Sequence, residues 1–257
     1  FNQGALGFTP DAGLALATDK ISSSQRKTAK YFLVVAVLFL LQLGVGAVMA
    51  HYTVHPDSLF GSKLLADFLP YAWVKTWHLQ LAIFWIAVSW IGFTLFVAPR
   101  VGNKEPKWQG LLVDVLFVAV LIVALGSLTG EVLGIKGLLG NAWFWLGHQG
   151  WEYLELGRMW QILLLAGLVI WLGLVLRGLW SHFGPGKDKW GLPHFLAYSG
   201  VAVVGFFCFG LFYDPHSHLT IADFWRLWVV HTWVEGAFEF FGAAAILFVL
   251  VNLHLVD

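Results

Sequence analysis

Six apolar stretches, each long enough to cross a bilayer as a helix, leave this chain few folds to choose from. Spanning the hydrocarbon core as a helix takes about 20 predominantly apolar residues. The stretches fall at roughly 31–52, 70–98, 109–133, 159–181, 192–213 and 222–254. The second and sixth exceed the required length, which predicts tilt or extension into the interface. No period-two alternation supports a β-barrel. Lipid then leaves only helices, because every backbone N–H and C=O must be bonded within the segment. The expected fold is all-α: a polytopic membrane helix bundle of about six transmembrane helices over residues 31–257, with the lipid bilayer as its solvent. Residues 1–30 are expected to form a cytoplasmic N-terminal segment.

Composition agrees. Only 12% of the 257 residues are charged, against about 25% in soluble domains. The formal net charge is zero, so nucleic-acid binding has no support. Many of the 15 tryptophans fall near the expected helix ends, as in an interfacial belt. Cys208 stands alone, forms no internal disulfide, and reads as a small buried hydrophobe. The chain begins at Phe1 and ends at Asp257, just past an apolar helix, and reads as a piece of a longer polypeptide.

Lysine and arginine set the orientation. Ten of them fall in one alternating set of connections: Lys20, Arg26, Lys27 and Lys30, then Arg100, Lys104 and Lys107, then Arg177, Lys187 and Lys189. Five fall in or beside the other set, at Lys63, Lys75, Lys136, Arg158 and Arg226. The richer side is expected to be cytoplasmic. Residues 53–69, 134–158 and 214–221 are then outer loops. No internal repeat and no phosphate-binding glycine loop is present.

Ionisable residues inside spans are functional-site candidates because they are costly there. His231, Glu235 and Glu239 are four apart on the sixth span. In an α-helix each step of four turns about 40°, so all three share one face. A His and a Glu one turn apart can reach one cation, and the carboxylate shifts the choice toward iron over copper. Glu239 is a candidate outer-shell partner or proton carrier. The alternative is that all three bond to neighbouring helices. His78 and His231 each lie about eight residues in from the outer end of their spans, about 12 Å deep. At matched depth they could bracket a cofactor layer, with His78 as a haem axial ligand or simply a core histidine. Glu152 and Glu155 could hold a hard cation such as calcium, or form a solvated charged face. Glu131 is a candidate for a proton path or an interfacial residue, and Asp214–His218 for a turn-and-cap segment or a surface metal cluster.

Three motifs carry a family resemblance. They are Trp77-His78-Leu79-Gln80, Gly147-His148-Gln149-Gly150 followed by Glu152-Tyr153-Leu154-Glu155-Leu156-Gly157-Arg158, and Val230-His231-Thr232-Trp233-Val234-Glu235-Gly236 with Glu239. Together they resemble the catalytic subunit of bacterial nitric oxide reductases, in particular the single-chain quinol-dependent type, within the haem–copper oxidase superfamily. The resemblance runs from Ala17 onward, and its most specific part is His-x-x-x-Glu-Gly-x-x-Glu. It implies that His78 is an axial ligand of a low-spin haem b. It also implies that His231 and Glu235 ligate a non-haem iron, FeB, beside a high-spin haem b3, with Glu239 next to that iron. Glu152 falls at a calcium-binding glutamate of the family.

The implied reaction is two NO, two electrons and two protons to N2O and water, with quinol as donor and the bacterial inner (cytoplasmic) membrane as location. The family needs further histidine ligands on later helices, and no His-His pair occurs here. The chain is therefore expected to be half of a twelve-helix core, inactive alone, with the remaining C-terminal half of the same polypeptide as its partner. Other readings are a haem–copper oxygen reductase, a proton or ion transporter using Glu131, Glu235 and Glu239, and a non-catalytic b-type cytochrome needing only His78.

Overall fold

The computed structural model of the chain describes residues 21–102, 104–148, 156–187, 191–252 and 255–256. Among them are six helical spans long and apolar enough to cross a membrane: Ser23–Val54, Tyr71–Val101, Gln109–Ile135, Arg158–His182, Leu192–Leu211 and Leu219–Val251. No strand occurs among the described residues, only an isolated bridge between Leu59 and Ser62. The all-helical, six-span architecture is thus the one the apolar pattern predicts.

The helices in chain order are α1 (Ser23–Lys27), α2 (Ala29–Val54), α3 (Lys63–Phe68), α4 (Tyr71–Val101), α5 (Gln109–Ile135), α6 (Trp143–Leu146), α7 (Arg158–Leu179), α8 (Leu192–Phe207), α9 (Leu219–Leu227) and α10 (Glu239–Asn252). Helix starts follow capping chemistry. Ser22 accepts from the Gln25 N–H, and the Gln25 side chain accepts from the Ser22 N–H at 2.9 Å, a reciprocal capping box. Ser62 caps α3 by accepting from Leu65 N–H. Two segments read from sequence as plain loops therefore contain short helices, α3 and α6.

Two further differences have local causes. Helix α4 passes Pro99 and ends at Val101, because the Gly102 N–H still bonds the Ala98 carbonyl at 3.0 Å. The sixth span is not one α-helix. A π-helix at Trp228–Phe238 separates α9 from α10.

The chain divides into two compact units. Unit 1 comprises Phe1–Ala29, Trp90–Phe117 and Leu165–Asp257, and unit 2 comprises Lys30–Ser89 and Val118–Leu164. In unit 2, Leu38, Leu81, Phe84, Val123, Ala124, Leu128 and Leu156 form one buried cluster. Lipid is as apolar as a leucine side chain, so close packing rather than water exclusion holds such helices together. Glycine is what allows the approach. A Cβ on Gly126 would stand 2.3 Å from the Trp160 ring, and one on Gly130 would stand 1.8 Å from the Leu146 carbonyl oxygen. In unit 1, Gly102 and Gly178 do the same: a Cβ on Gly102 would meet the Gly178 carbonyl oxygen at 1.9 Å. Large apolar side chains of α2, among them Leu33, Leu40 and Leu43, stay exposed, as suits a lipid-facing surface.

The glycine contacts yield a stability prediction. Gly130→Val should lower stability by about 1–3 kcal/mol, the cost of overpacking a filled contact. Gly167→Ala, where an added Cβ meets nothing within 4 Å, should be neutral or stabilising by up to about 1 kcal/mol. Thermal unfolding in detergent checks both, and equal midpoints for the two variants would contradict the packing account.

Candidate functional site

The sixth span of unit 1 carries two stripes of opposite character. Val229, Trp233 and Ala237 are buried and continue into Phe241 of α10. The Trp233 indole N–H donates to the Val203 carbonyl of α8 at 2.8 Å, and its ring lies 5.0 Å from that of Phe207. Phe241 stands edge-on to both Trp90 and Trp171. Displaced by two residues from this stripe are His231, Glu235 and Glu239, all exposed. Two residues make roughly half a turn, so the anchored stripe presents the polar one outward.

The sequence arithmetic for this face assumed an α-helix. The backbone at Trp228–Phe238 is π, with N–H groups reaching the carbonyl five residues back. A wider turn makes a step of four fall just short of a full turn instead of just past it, so the three side chains still share one stripe. Such π segments often mark functional sites.

The structure brings His231 and Glu235 together. Nδ1 of His231 lies 2.8 Å from Oε2 of Glu235, with the two side chains 56% and 62% exposed. Two ligand atoms each about 2.0–2.2 Å from one first-row ion at a right angle would be about 3 Å apart. The 2.8 Å spacing matches that separation, and an ion bound there would replace the hydrogen bond between the two atoms. Among the described residues no group of three or more His, Cys, Asp or Glu side chains is placed to hold an ion. Glu239 begins α10 on the same stripe and is not drawn into the pair.

His78 lies in unit 2, half-buried on α4. Its Nδ1 is 3.3 Å from the Gln42 carbonyl of α2. A Cβ on Gly46 would stand 2.8 Å from His78 Cε1, so glycine at 46 is what lets the ring lie against α2. The Trp85 indole donates to Gln42 Oε1 at 2.8 Å and fixes that residue in turn. With Nδ1 held by a carbonyl, Nε2 is the nitrogen left for a ligand, the arrangement in which outer hydrogen bonds set a ligating histidine's tautomer. This fits an axial haem ligand. Gln42 and Gly46 were not singled out from sequence. The available signal was an amide inside an apolar helix followed four residues later by glycine.

Other candidates resolve differently. Glu152 and Glu155 lie outside the described residues. Glu131 is fully buried near the end of α5, one turn from the buried Ser127. Gln80 is also fully buried, and neither of its amide atoms has a hydrogen-bond partner among the described residues. Asp214–His218 is turn and cap. Asp214 Oδ1 accepts from the His216 N–H at 2.8 Å and from Ser217 Oγ at 3.3 Å, and His218 Nδ1 caps α9 through the Thr220 N–H.

The His216 N–H, with help from Ser217, holds the Asp214 carboxyl below the usual aspartate range. A depressed folded-state pKa means that the loop's extra stability is complete above the unfolded value of about 3.9 and is lost as pH falls through the lower folded value. Amide-exchange protection at His216 and Ser217, corrected for intrinsic rate, should therefore hold down to about pH 4 and then fall. Asp214→Asn should remove that drop, and its persistence would refute the assignment.

Two comparisons with known proteins bear on these sites. Residues 26–254 match the family described as cytochrome C and quinol oxidase polypeptide I. The chain is also 28% identical over 239 residues to a nitric oxide reductase chain of Stutzerimonas stutzeri, covering 91% of this chain and 47% of that protein. It thus spans about half the length of that relative.

Proposed function

The chain belongs to the cytochrome C and quinol oxidase polypeptide I family of haem-binding, multi-pass membrane oxidoreductases, and from that premise we propose that it is part of a nitric oxide reductase. The reaction is two NO with two electrons and two protons giving N2O and water. The observation that carries this reading is the His231–Glu235 pair, one nitrogen and one carboxylate oxygen 2.8 Å apart on an exposed stripe of a membrane-spanning helix. A carboxylate is a hard ligand and favours iron over copper.

On this reading His231 and Glu235 hold a non-haem iron next to a high-spin haem b3, while His78 is an axial ligand of a low-spin haem b. Calcium at Glu152 is part of the same proposal. Bound metal and haem supply electrons and a Lewis-acid centre for NO. The residues of this chain supply the geometry. Trp233 and Phe241 anchor the buried stripe and so aim His231 and Glu235 outward. Glu239, on the same stripe, is placed to hold or release a proton beside the pair. Gln42 and Gly46 set the ring of His78. Quinol is the proposed electron donor and the bacterial inner membrane the proposed location.

Three exposed polar side chains on a membrane-spanning helix are costly against lipid. Their exposure supports the proposal that the C-terminal half of a longer polypeptide covers them and brings the remaining ligands. The chain's 47% coverage of its relative is consistent with that. An oxygen reductase is the second reading, favoured by the family's own description. Glu235 beside His231 weighs against it, because a copper site would not call for a carboxylate.

Metal analysis and two variants of the full-length protein test this. The reductase reading expects one non-haem iron per two haems, and copper instead would select the oxygen reductase. Glu235→Ala should abolish NO turnover while leaving the low-spin haem spectrum in place, so normal turnover would sink the iron assignment. Gly46→Ala adds a methyl group against His78 Cε1 and should shift the low-spin haem band. An unchanged band would remove His78 from the ligand set.

A further inference from the structure

Unit 2 contains a groove of about 250 Å³ between α2 and α4, lined by Leu40, Gly44, Val48, Leu69, Trp73 and Trp77 among others. Its walls are almost wholly apolar. Along α2 it runs from Leu40 to Val48, about 12 Å, close to the roughly 15 Å of one leaflet of a 30 Å hydrocarbon core. One end of the groove lies at the helix termini, where Leu69 precedes α4 and Trp73 sits in its first turn.

A cation stands at that end. Lys136, just past the end of α5, is exposed and places Nζ 5.4 Å from the ring centroids of both Phe68 and Trp73. Its Nζ also donates to the Phe68 carbonyl at 3.2 Å. No carboxylate among the described residues pairs with it; the Asp67 side chain, one residue before Phe68, is not in ion-pair contact. The Trp73 indole N–H, shielded from solvent, likewise has no acceptor among the described residues. Cation–π contacts orient the lysine without neutralising it. An apolar trough one leaflet deep, with aromatic rings and a positive charge that no described carboxylate pairs with at its interfacial end, matches an amphiphile that has an acyl tail and an anionic head.

We propose that this groove is a binding site for an anionic phospholipid, with one acyl chain between α2 and α4 and the headgroup phosphate on Lys136. Lysines near a membrane surface select anionic lipids at about 1 kcal/mol each, which corresponds to roughly a fivefold preference. Gly44 tests the trough directly. A Cβ there meets nothing within 4 Å, so a larger side chain can enter the groove without disturbing the helix.

The experiment uses the full-length protein in neutral detergent, titrated with phosphatidylglycerol or phosphatidylcholine, with retained lipids counted by native mass spectrometry. Wild type should retain one phosphatidylglycerol with roughly fivefold preference over phosphatidylcholine. Lys136→Ala should abolish the preference and Lys136→Arg should keep it. Gly44→Phe should lose that lipid altogether. Because Lys136 is exposed, its variants keep the fold even if Gly44→Phe does not, and lipid-free thermal midpoints check this. Equal retention of the two lipids by wild type would overturn the proposal. So would an unchanged preference in Lys136→Ala, or displacement of the lipid by an uncharged quinol equally in wild type and Lys136→Ala. None of these outcomes bears on the iron pair.

Discussion

Inside a bilayer a polar group has no water to fall back on, and this chain meets that constraint repeatedly with one device: an indole N–H donated across a helix boundary. In unit 2, Trp77 donates to the Leu128 carbonyl at 3.0 Å and Trp160 to the Leu146 carbonyl at 2.8 Å. In unit 1, Trp233 donates to the Val203 carbonyl and Trp171 to the Thr94 hydroxyl, both at 2.8 Å. A carbonyl oxygen has two lone pairs, so it can take an indole donor without giving up its helical bond. Each such contact satisfies the one polar atom of a large apolar side chain. It also fixes the rotation of one helix relative to the next, which apolar packing in lipid specifies poorly.

That device decides where the polar stripe points. Trp233 lies midway between His231 and Glu235 in sequence and is bonded into α8 from the opposite side of the helix. The candidate motif and its anchor are therefore interleaved in one π-helical stretch, and neither can rotate without the other. Substituting Trp233 would reorient the pair without touching either side chain.

The fold was largely legible in the sequence because length and apolarity alone dictate spanning helices. The candidate stripe was legible for a related reason: His231, Glu235 and Glu239 are conspicuous where charge is expensive. What sequence did not yield were features set by backbone geometry. The π-helix has no residue-type signature in Trp228–Phe238, and the wider turn happens to preserve the stripe that α-helical arithmetic predicts. Five tryptophans, Trp77, Trp85, Trp160, Trp171 and Trp233, are interhelical donors that the expectation of an interfacial belt did not cover, since position along a span does not say which way a side chain faces. Helices α3 and α6 were missed because short helices depend on caps and tertiary contacts more than on periodicity.

The same distinction explains His78. As a lone histidine on an aromatic helix, its residue type left a core role and a ligand role equally open. Geometry bears on that choice. An open nitrogen does not decide by itself, since His194 is buried on α8 with an Nδ1 that makes no hydrogen bond to the described residues. At His78 one nitrogen is engaged by Gln42, and the ring is admitted to that carbonyl by the missing side chain at Gly46. The opposite nitrogen makes no hydrogen bond to the described residues. An arrangement that fixes one nitrogen and leaves the other open supports the proposed ligand role of His78. The glycine four residues from Gln42 is what admits the ring to α2, a feature that the histidine's own neighbours in sequence do not reveal.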